Sequence, residues 1–324
     1  MKVAAAVSKT ELLDLYRHMK LIRVFEEACA QQYMRGKIRG FLHLYIGEEA
    51  IAAGAIPIMQ PHDYVITHYR DHGHALARGM DPNAAMAELF GRATGSSKGK
   101  GGSMHLMDGS VNMMGGYAIV GGQIPLGVGL AMACAHRGDG SLVLCFIGDG
   151  ALNEGEFHEG MNLAAIWNLP IVIFCENNLY GMGAPVSEVL AAKDIYKMAE
   201  PYGIPSMQID GMDVLAVRSA MLDVYEHVRA GKGPYFVEAL AYRFRGHSMS
   251  DPAEYRHKEE EALWRKRDPV PGFHAYLLSE EGVPEAELDT IDAAVDAQVE
   301  AAVEFANASP EPDISELATD IIGG

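Results

Sequence analysis

The chain has 324 residues, 49% of them hydrophobic, with 26 Lys and Arg against 44 Asp and Glu and a formal net charge of −18. That length supports a large core, and so acidic a surface argues against nucleic acid and anionic membranes as partners. No run reaches the ~18 apolar residues of a membrane span, and residues 1 to 10 show neither an apolar signal core nor an Arg-rich stretch, so a cytoplasmic protein is expected.

Residues 11 to 36 are predicted as a long amphipathic helix, with Leu12, Tyr16, Met19, Ile22, Phe25 and Cys29 at helical spacing and Thr10 as N-cap. A glycine-spaced turn region over 36 to 47 leads into a short helix over 48 to 56. Tyr64-Val65-Ile66-Thr67 reads as a strand that ends in the polar cluster Tyr69-Arg70-Asp71-His72-Gly73-His74. Residues 95 to 105 hold too many glycines for a helix or strand. A small-residue helix is predicted over 121 to 137, with Pro125 in its first turn. The apolar runs 142 to 147 and 171 to 175 are strands flanking a helix, and a further strand is expected over 234 to 241. The last amphipathic helix spans 289 to 308, with Leu288, Ile291, Val295, Val299 and Val303 on one face.

This alternation predicts an α/β fold, a mostly parallel sheet with helices on both faces. A single domain over 1 to 324 is the simplest organisation, with a helical arm over 1 to 36 and a terminal helix and tail over 283 to 324. Cys29, Cys134, Cys145 and Cys175 form no CxxC pair, so buried thiols in a reducing compartment are expected.

Gly148-Asp149-Gly150 ends the first of the two central strand runs, and Asn177-Asn178 follows the second. Residues 151 to 176 lie between, 26 positions that hold one helix and one strand. Polar groups then stand at the carboxyl ends of parallel strands, where open α/β sheets bind ligands. The glycines allow a tight turn and close approach to an anion. Asp149 offers a hard carboxylate oxygen and Asn178 a neutral amide oxygen, which suits Mg²⁺ shared with phosphate oxygens and water. The predicted ligand is a metal-bound diphosphate. A Gly-Asp-Gly turn also occurs as a purely structural element, and the spacing to the asparagines favours the functional reading. Among 13 histidines, His247 stands out, in a polar loop beside Arg243 and Arg245. An imidazole there can contact a phosphate or donate a proton near neutral pH.

Five segments together resemble one family: Gly99-Lys100-Gly101-Gly102-Ser103-Met104-His105, the run from Ala118 to Gly127, the Gly148 to Asn178 pair, Asn178-Leu179-Tyr180-Gly181-Met182-Gly183, and Arg245-Gly246-His247-Ser248-Met249-Ser250-Asp251-Pro252. These resemble the α subunits of thiamine-dependent 2-oxoacid dehydrogenases, the E1 components of the pyruvate dehydrogenase type. The likeness runs from about Leu12 to Pro269. It implies the thiamine diphosphate-binding fold of the diphosphate-binding type, with thiamine diphosphate and Mg²⁺ as cofactors. It makes Asp149, Asn178 and the Tyr180 carbonyl the metal ligands. Gly150 and Ala151 are implied to give backbone N–H groups to the diphosphate where the next helix opens. Tyr69 and Arg70 are implied to hold it as well, Arg70 through its planar fork. Ala118, Ile119 and Val120 are implied to meet the aminopyrimidine, with Ala118 standing where the pyruvate enzymes carry glycine. His247 is implied to touch the diphosphate and to serve acyl transfer, and His43 matches a second active-site histidine. Direct involvement of His105 is not expected, and His72 and His74 are expected to brace loops.

The resemblance also implies partners. The carboxylic acid that activates the pyrimidine belongs to a separate domain in this family, and one diphosphate module accounts for the sheet here. A β subunit in an α₂β₂ heterotetramer is therefore implied, as is an E2 lipoyl acyltransferase. The implied reaction decarboxylates a small 2-oxoacid, pyruvate, and passes the acetyl unit to the lipoyl group. The α subunit of acetoin dehydrogenase shares these motifs. A branched-chain enzyme reads Pro-Leu-Ala-Thr-Gln where Ile119-Val120-Gly121-Gly122-Gln123 stands. A non-catalytic phosphate-binding subunit is the reading from a different class, and the joint presence of Asp149, Asn178, Arg70 and His247 weighs against it. Ser248 and Ser250 match loop serines phosphorylated in mitochondrial relatives, but Ala253-Glu254 replaces the second site, so no dedicated kinase control is expected.

Overall fold

The computed structural model describes residues 7–320. Ser8 starts the first helix. Its hydroxyl accepts the Glu11 N–H, and the Glu11 carboxylate accepts the Ser8 N–H at 2.9 Å. This capping box ties up two otherwise free donors. Helix α1 therefore spans Lys9–Met34, and Thr10, the expected cap, lies inside its first turn.

The chain continues through α2 (Glu49–Ala55), β1 (Tyr64–His68), α3 (His72–Arg78), α4 (Pro82–Leu89), β2 (Met113–Tyr117) and α5 (Gln123–Arg137). Next come β3 (Val143–Gly148), α6 (Gly155–Ile166) and β4 (Ile171–Asn177). A small hairpin, β5 (Tyr180–Gly181) and β6 (Ala184–Pro185), precedes the short α7 (Val186–Val189). The remainder is β7 (Ser206–Asp210), α8 (Val214–Arg229), β8 (Tyr235–Leu240), α9 (Lys258–Arg265), α10 (Pro269–Ser279) and α11 (Glu285–Ala308).

Six strands form one sheet in the order β2-β1-β3-β4-β8-β7, and every neighbouring pair is parallel. The reason is visible in β3 and β4. Both are continuous apolar runs, as strands covered on both faces require. Alternate residues feed opposite cores. Leu144, Phe146, Val172 and Phe174 join Ile22 and Phe25 of α1, Ile51 of α2 and Val217 of α8. Cys145, Ile147, Ile171 and Ile173 join Ile124 and Val128 of α5 with Phe157 and Met161 of α6. Helix α11 crosses the first layer, its Leu288, Ile291 and Val295 packing with Leu12, Leu15 and Met19 of α1.

Helices α3, α4, α7, α8, α9 and α10 and strands β2, β5, β6 and β7 lie outside the elements expected from the sequence. β2 reads Met-Met-Gly-Gly-Tyr, and its two glycines hide a strand at the sheet edge. β7 is the opposite edge and carries only half-buried and exposed residues. All four cysteines are buried free thiols. Among the described residues no helix is long and apolar enough to cross a membrane.

Candidate active site

Parallel strands bring their carboxyl ends to one edge. β1 runs into Tyr69-Arg70, β2 into Ala118-Ile119-Val120, β3 into Asp149-Gly150-Ala151, β4 into Asn178 and β8 towards Arg243 and His247. The order of strands reverses between β1 and β3, which makes a crevice at that point. A cavity of about 980 Å³ opens there, lined by His43, Tyr69, Arg70, Ala118, Val120, Asp149, Gly150, Ala151, Asn178, Tyr180 and His247. The candidate residues are thus brought to one place, with Ile119 as the exception. Ile119 is not part of the lining and is 72% exposed, and His105 also lies outside it.

Two buried oxygens in this wall have no hydrogen-bond donor among the described residues, Asp149 Oδ2 and Asn178 Oδ1. Burial pushes the Asp149 carboxyl up to about 6, against the pull of Arg243 and Arg70. The Asn178 amide is oriented by Glu48, whose Oε1 accepts its Nδ2 at 3.1 Å. The Tyr180 carbonyl accepts from Arg243 at 3.2 Å, which leaves its second lone pair. A carboxylate, an amide oxygen and a carbonyl form a hard oxygen donor set that fits Mg²⁺.

The turn after β3 corrects one expectation. Asp149–Asn153 is a 3₁₀ turn, and α6 begins only at Gly155. The N–H groups of Gly150 and Ala151 therefore belong to that turn, not to the opening of the α-helix. A Cβ at Gly150 would stand 3.6 Å from the Gly181 Cα, so the turn packs backbone to backbone on the β5 hairpin.

Two buried guanidiniums face the same cavity. Arg70 donates to the carbonyls of Leu44 and His247 at 2.8 and 2.9 Å, and its Nε lies 3.7 Å from Glu48. Its fork is thus partly engaged by the protein, a restraint the expected phosphate role did not include. Arg243 donates to the carbonyls of Tyr180 and Met182 and to the Tyr255 hydroxyl. No carboxylate lies within ion-pair distance of it among the described residues. Two buried guanidiniums in one cavity wall suit a ligand that carries phosphate oxygens.

His43 and His247 stack edge to face, with ring centroids 4.9 Å apart, and His43 lies 4.6 Å from the Tyr69 ring. The Nδ1 of each is buried without a partner. Burial, with Arg70 and then Arg243 beside it, lowers His247 to about 4. Burial and Arg70 lower His43 to about 2. Both shifts favour the neutral imidazole while no anion lies in the cavity. The loop itself is held by Asp251, which accepts the His247 N–H at 2.5 Å and the Tyr255 hydroxyl at 2.6 Å. Arg256 supports it from below. It donates to the carbonyls of Arg243 and Arg245 and lies over the rings of Tyr242 and Tyr180. His72 and His74 do brace buried structure. His72 bonds Glu26 and Ser103, and His74 bonds Glu176.

Glu48 and Glu176 were missed from sequence, and Arg243 entered only as a neighbour of His247. Glu176 sits at the end of β4 and joins Tyr45, His68 and His74. Its signal was a lone charge directly after the apolar run 171 to 175. Arg243 had a similar signal, a cation just past the apolar end of β8. Glu48 had none.

The dehydrogenase E1 component family profile matches residues 17–315. The chain belongs to this family. It is 49% identical over 319 residues to the pyruvate dehydrogenase E1 component subunit alpha of Rhizobium meliloti, covering 98% of this chain and 92% of that one. The protein of the same name from Zymomonas mobilis is 48% identical, with 98% and 90% covered. That of Rickettsia bellii is 44% identical, with 97% and 96% covered. As in other dehydrogenase E1 components, the chemistry here depends on thiamine diphosphate.

Proposed function

We infer that this chain is the α subunit of a pyruvate dehydrogenase E1 component, which decarboxylates pyruvate together with a β subunit and passes the acetyl unit to the lipoyl group of an E2 acyltransferase. The observation that carries the reading is the pairing of donor-free Asp149 Oδ2 and Asn178 Oδ1 with buried Arg70 and Arg243 in one cavity. That combination suits a cation and a polyphosphate together.

Asp149, Asn178 and the Tyr180 carbonyl would hold Mg²⁺. Tyr69, Arg70, His247 and the N–H groups of Gly150 and Ala151 would hold the diphosphate, and Ala118 and Val120 would lie against the aminopyrimidine. Bound thiamine diphosphate would supply the electron sink for the pair released with CO₂. Beside an added anion, His247 would gain proton affinity. It would then hold a proton at its ring for acyl transfer, with His43 packed against it to keep water out.

The activating carboxylic acid would come from the β subunit. The cavity carboxylates of this chain are Asp149, Glu154 and Asp251. Asp149 is taken by the cation site and Asp251 by its own loop, and Glu154 is exposed. Apolar side chains lie around the opening, with Phe41 63%, Ile119 72% and Met182 65% exposed. Such a rim fits a partner surface, and an α₂β₂ assembly would cover it. Residues 1 to 324 would act as one diphosphate-binding unit with α1 and α11 as arms. Four free thiols agree with the reducing cytoplasm.

The test is reconstitution with a β chain, followed by turnover of pyruvate, acetoin and 2-oxoisovalerate and calorimetry of thiamine diphosphate with and without Mg²⁺. Pyruvate should turn over fastest, and only with the β chain present. Full activity of the isolated α chain, or binding of nucleotides in place of thiamine diphosphate, would overturn the reading.

A further inference from the structure

The glycine-rich segment 95 to 105 has neither helix nor strand and supplies only Met104 to the cavity. Its backbone is nevertheless held tightly. Glu88 Oε2 accepts the N–H groups of Ser97 and Gly99, both at 2.8 Å. Glu88 Oε1 accepts those of Gly101 and Gly102 at 2.8 and 3.0 Å. Successive N–H groups converging on one anion form a nest, the arrangement with which backbone cradles phosphate. Here the anion is a fully buried side chain of α4. Among the described residues no Lys or Arg lies within ion-pair distance of it. Lys98 and Lys100 turn outward, to Glu316 and Asp320. The segment must pass very close to the carboxylate, and a Cβ at Gly95 would come within 2.6 Å of the Glu88 Cα.

The far end of the segment is fixed separately. Ser103 Oγ lies 2.8 Å from His72 Nε2, and the Leu106 N–H donates to Asp71 Oδ2 at 2.9 Å. Asp71 and His72 directly follow Arg70. Met104 therefore stands in the cavity wall between two anchors, one of them Glu88.

We propose that Glu88 is a positioning residue of the active site, a built-in anion that shapes residues 97 to 102 and so places Met104 in the cavity wall. Charge and symmetry are both required. Each oxygen takes two N–H donors, and the NH₂ of a glutamine would face two of them with nothing to offer. The catalytic part rests on the cavity being the reaction site proposed above, whereas the backbone part does not.

The test uses the assembled α/β complex. In the wild type, the amides of Ser97, Gly99, Gly101 and Gly102 should exchange on the order of 10²-fold more slowly than in an unstructured peptide. Glu88→Gln should speed trypsin cleavage after Lys98 and Lys100 and lower kcat/KM for pyruvate by about 10–10²-fold, mostly through KM. In Glu88→Ala, added acetate should restore KM, whereas the isosteric neutral acetamide should not. Should both variants fail to fold, Glu88→Asp keeps the charge and should show a smaller rise in KM. Unprotected amides would overturn the nest. Wild-type KM in Glu88→Gln or Glu88→Asp, or equal rescue by acetamide, would overturn the positioning role. Altered cleavage with unaltered KM would mean that the loop is held by Glu88 but that Met104 is not where pyruvate is processed.

Discussion

Asn178 gives its Nδ2 to Glu48 Oε1 at 3.1 Å, which leaves Asn178 Oδ1 in the cavity wall without a donor. The amide cannot turn over without losing that bond and setting its NH₂ towards the cation site. Glu48→Ala removes the restraint. Partners behind a metal ligand typically contribute about 10–100-fold in affinity, so Mg²⁺ should bind that much more weakly in the presence of thiamine diphosphate. Glu48→Gln keeps an acceptor and should lose less. Calorimetric titration of Mg²⁺ checks both, and identical affinities in all three proteins would separate Glu48 from the metal.

Asp149 carries the one anionic oxygen of the proposed donor set. Asp149→Ala should abolish Mg²⁺-dependent binding of thiamine diphosphate while the far-ultraviolet circular dichroism stays that of the wild type. A variant that binds the cofactor with unchanged affinity would show that the metal lies elsewhere.

His247 is tied down by its backbone, through its N–H to Asp251 and its carbonyl to Arg70, so its ring can be removed without releasing the loop. His247→Ala should therefore leave decarboxylation with an artificial electron acceptor largely intact. The lipoyl-linked reaction should fall by about 10²–10⁴-fold, the usual range for general acid–base help. Equal losses in the two assays would leave His247 only its contact with the diphosphate and remove its part in acyl transfer.

His72 gives a stability prediction with a definite sign. Burial alone lowers its pKa, but the Glu26 carboxylate 2.8 Å away, with Asp71, raises it above the ordinary value. Folding then favours the protonated ring. This contribution is whole below about pH 6.5 and is lost as pH rises through the folded value. The difference in Tm between wild type and His72→Gln should be largest near pH 6 and shrink by about pH 9. A difference that grows with pH would show that His72 is neutral in the folded protein.

Much of the site could be read before the fold was known, because Asp149 and Asn178 stand at the ends of apolar runs that only strands explain. The same logic fails for Glu48. It precedes a short helix, and nothing local distinguishes its buried carboxylate from the exposed acids that dominate so acidic a chain. Its burial comes from β4 and Arg70, both distant in sequence. β2 escaped for the opposite reason. Gly115 and Gly116 weaken any strand signal, yet a Cβ at Gly116 would collide with the Asp71 carboxylate, so the glycine is dictated by a contact 45 positions away. The glycine content of residues 95 to 105 told only that helix and strand are absent there, and the Glu88 carboxylate that shapes the segment lies on another element.

The parallel sheet also acts as a ruler. Arg70, Asp149, Asn178 and Arg243 each follow a different strand, so their mutual spacing is fixed by strand register and not by any loop. Side chains alternate in a period of two, and a one-residue deletion within β3 or β4 would turn every following side chain to the opposite face. The connections at the other end of the strands carry no such constraint. The turn over residues 230 to 233, between α8 and β8, is one of these, with exposed Ala230, Gly231 and Lys232. Fluorophores, affinity tags or tethering peptides introduced there would report on or immobilise the subunit without disturbing the edge where the ligand binds.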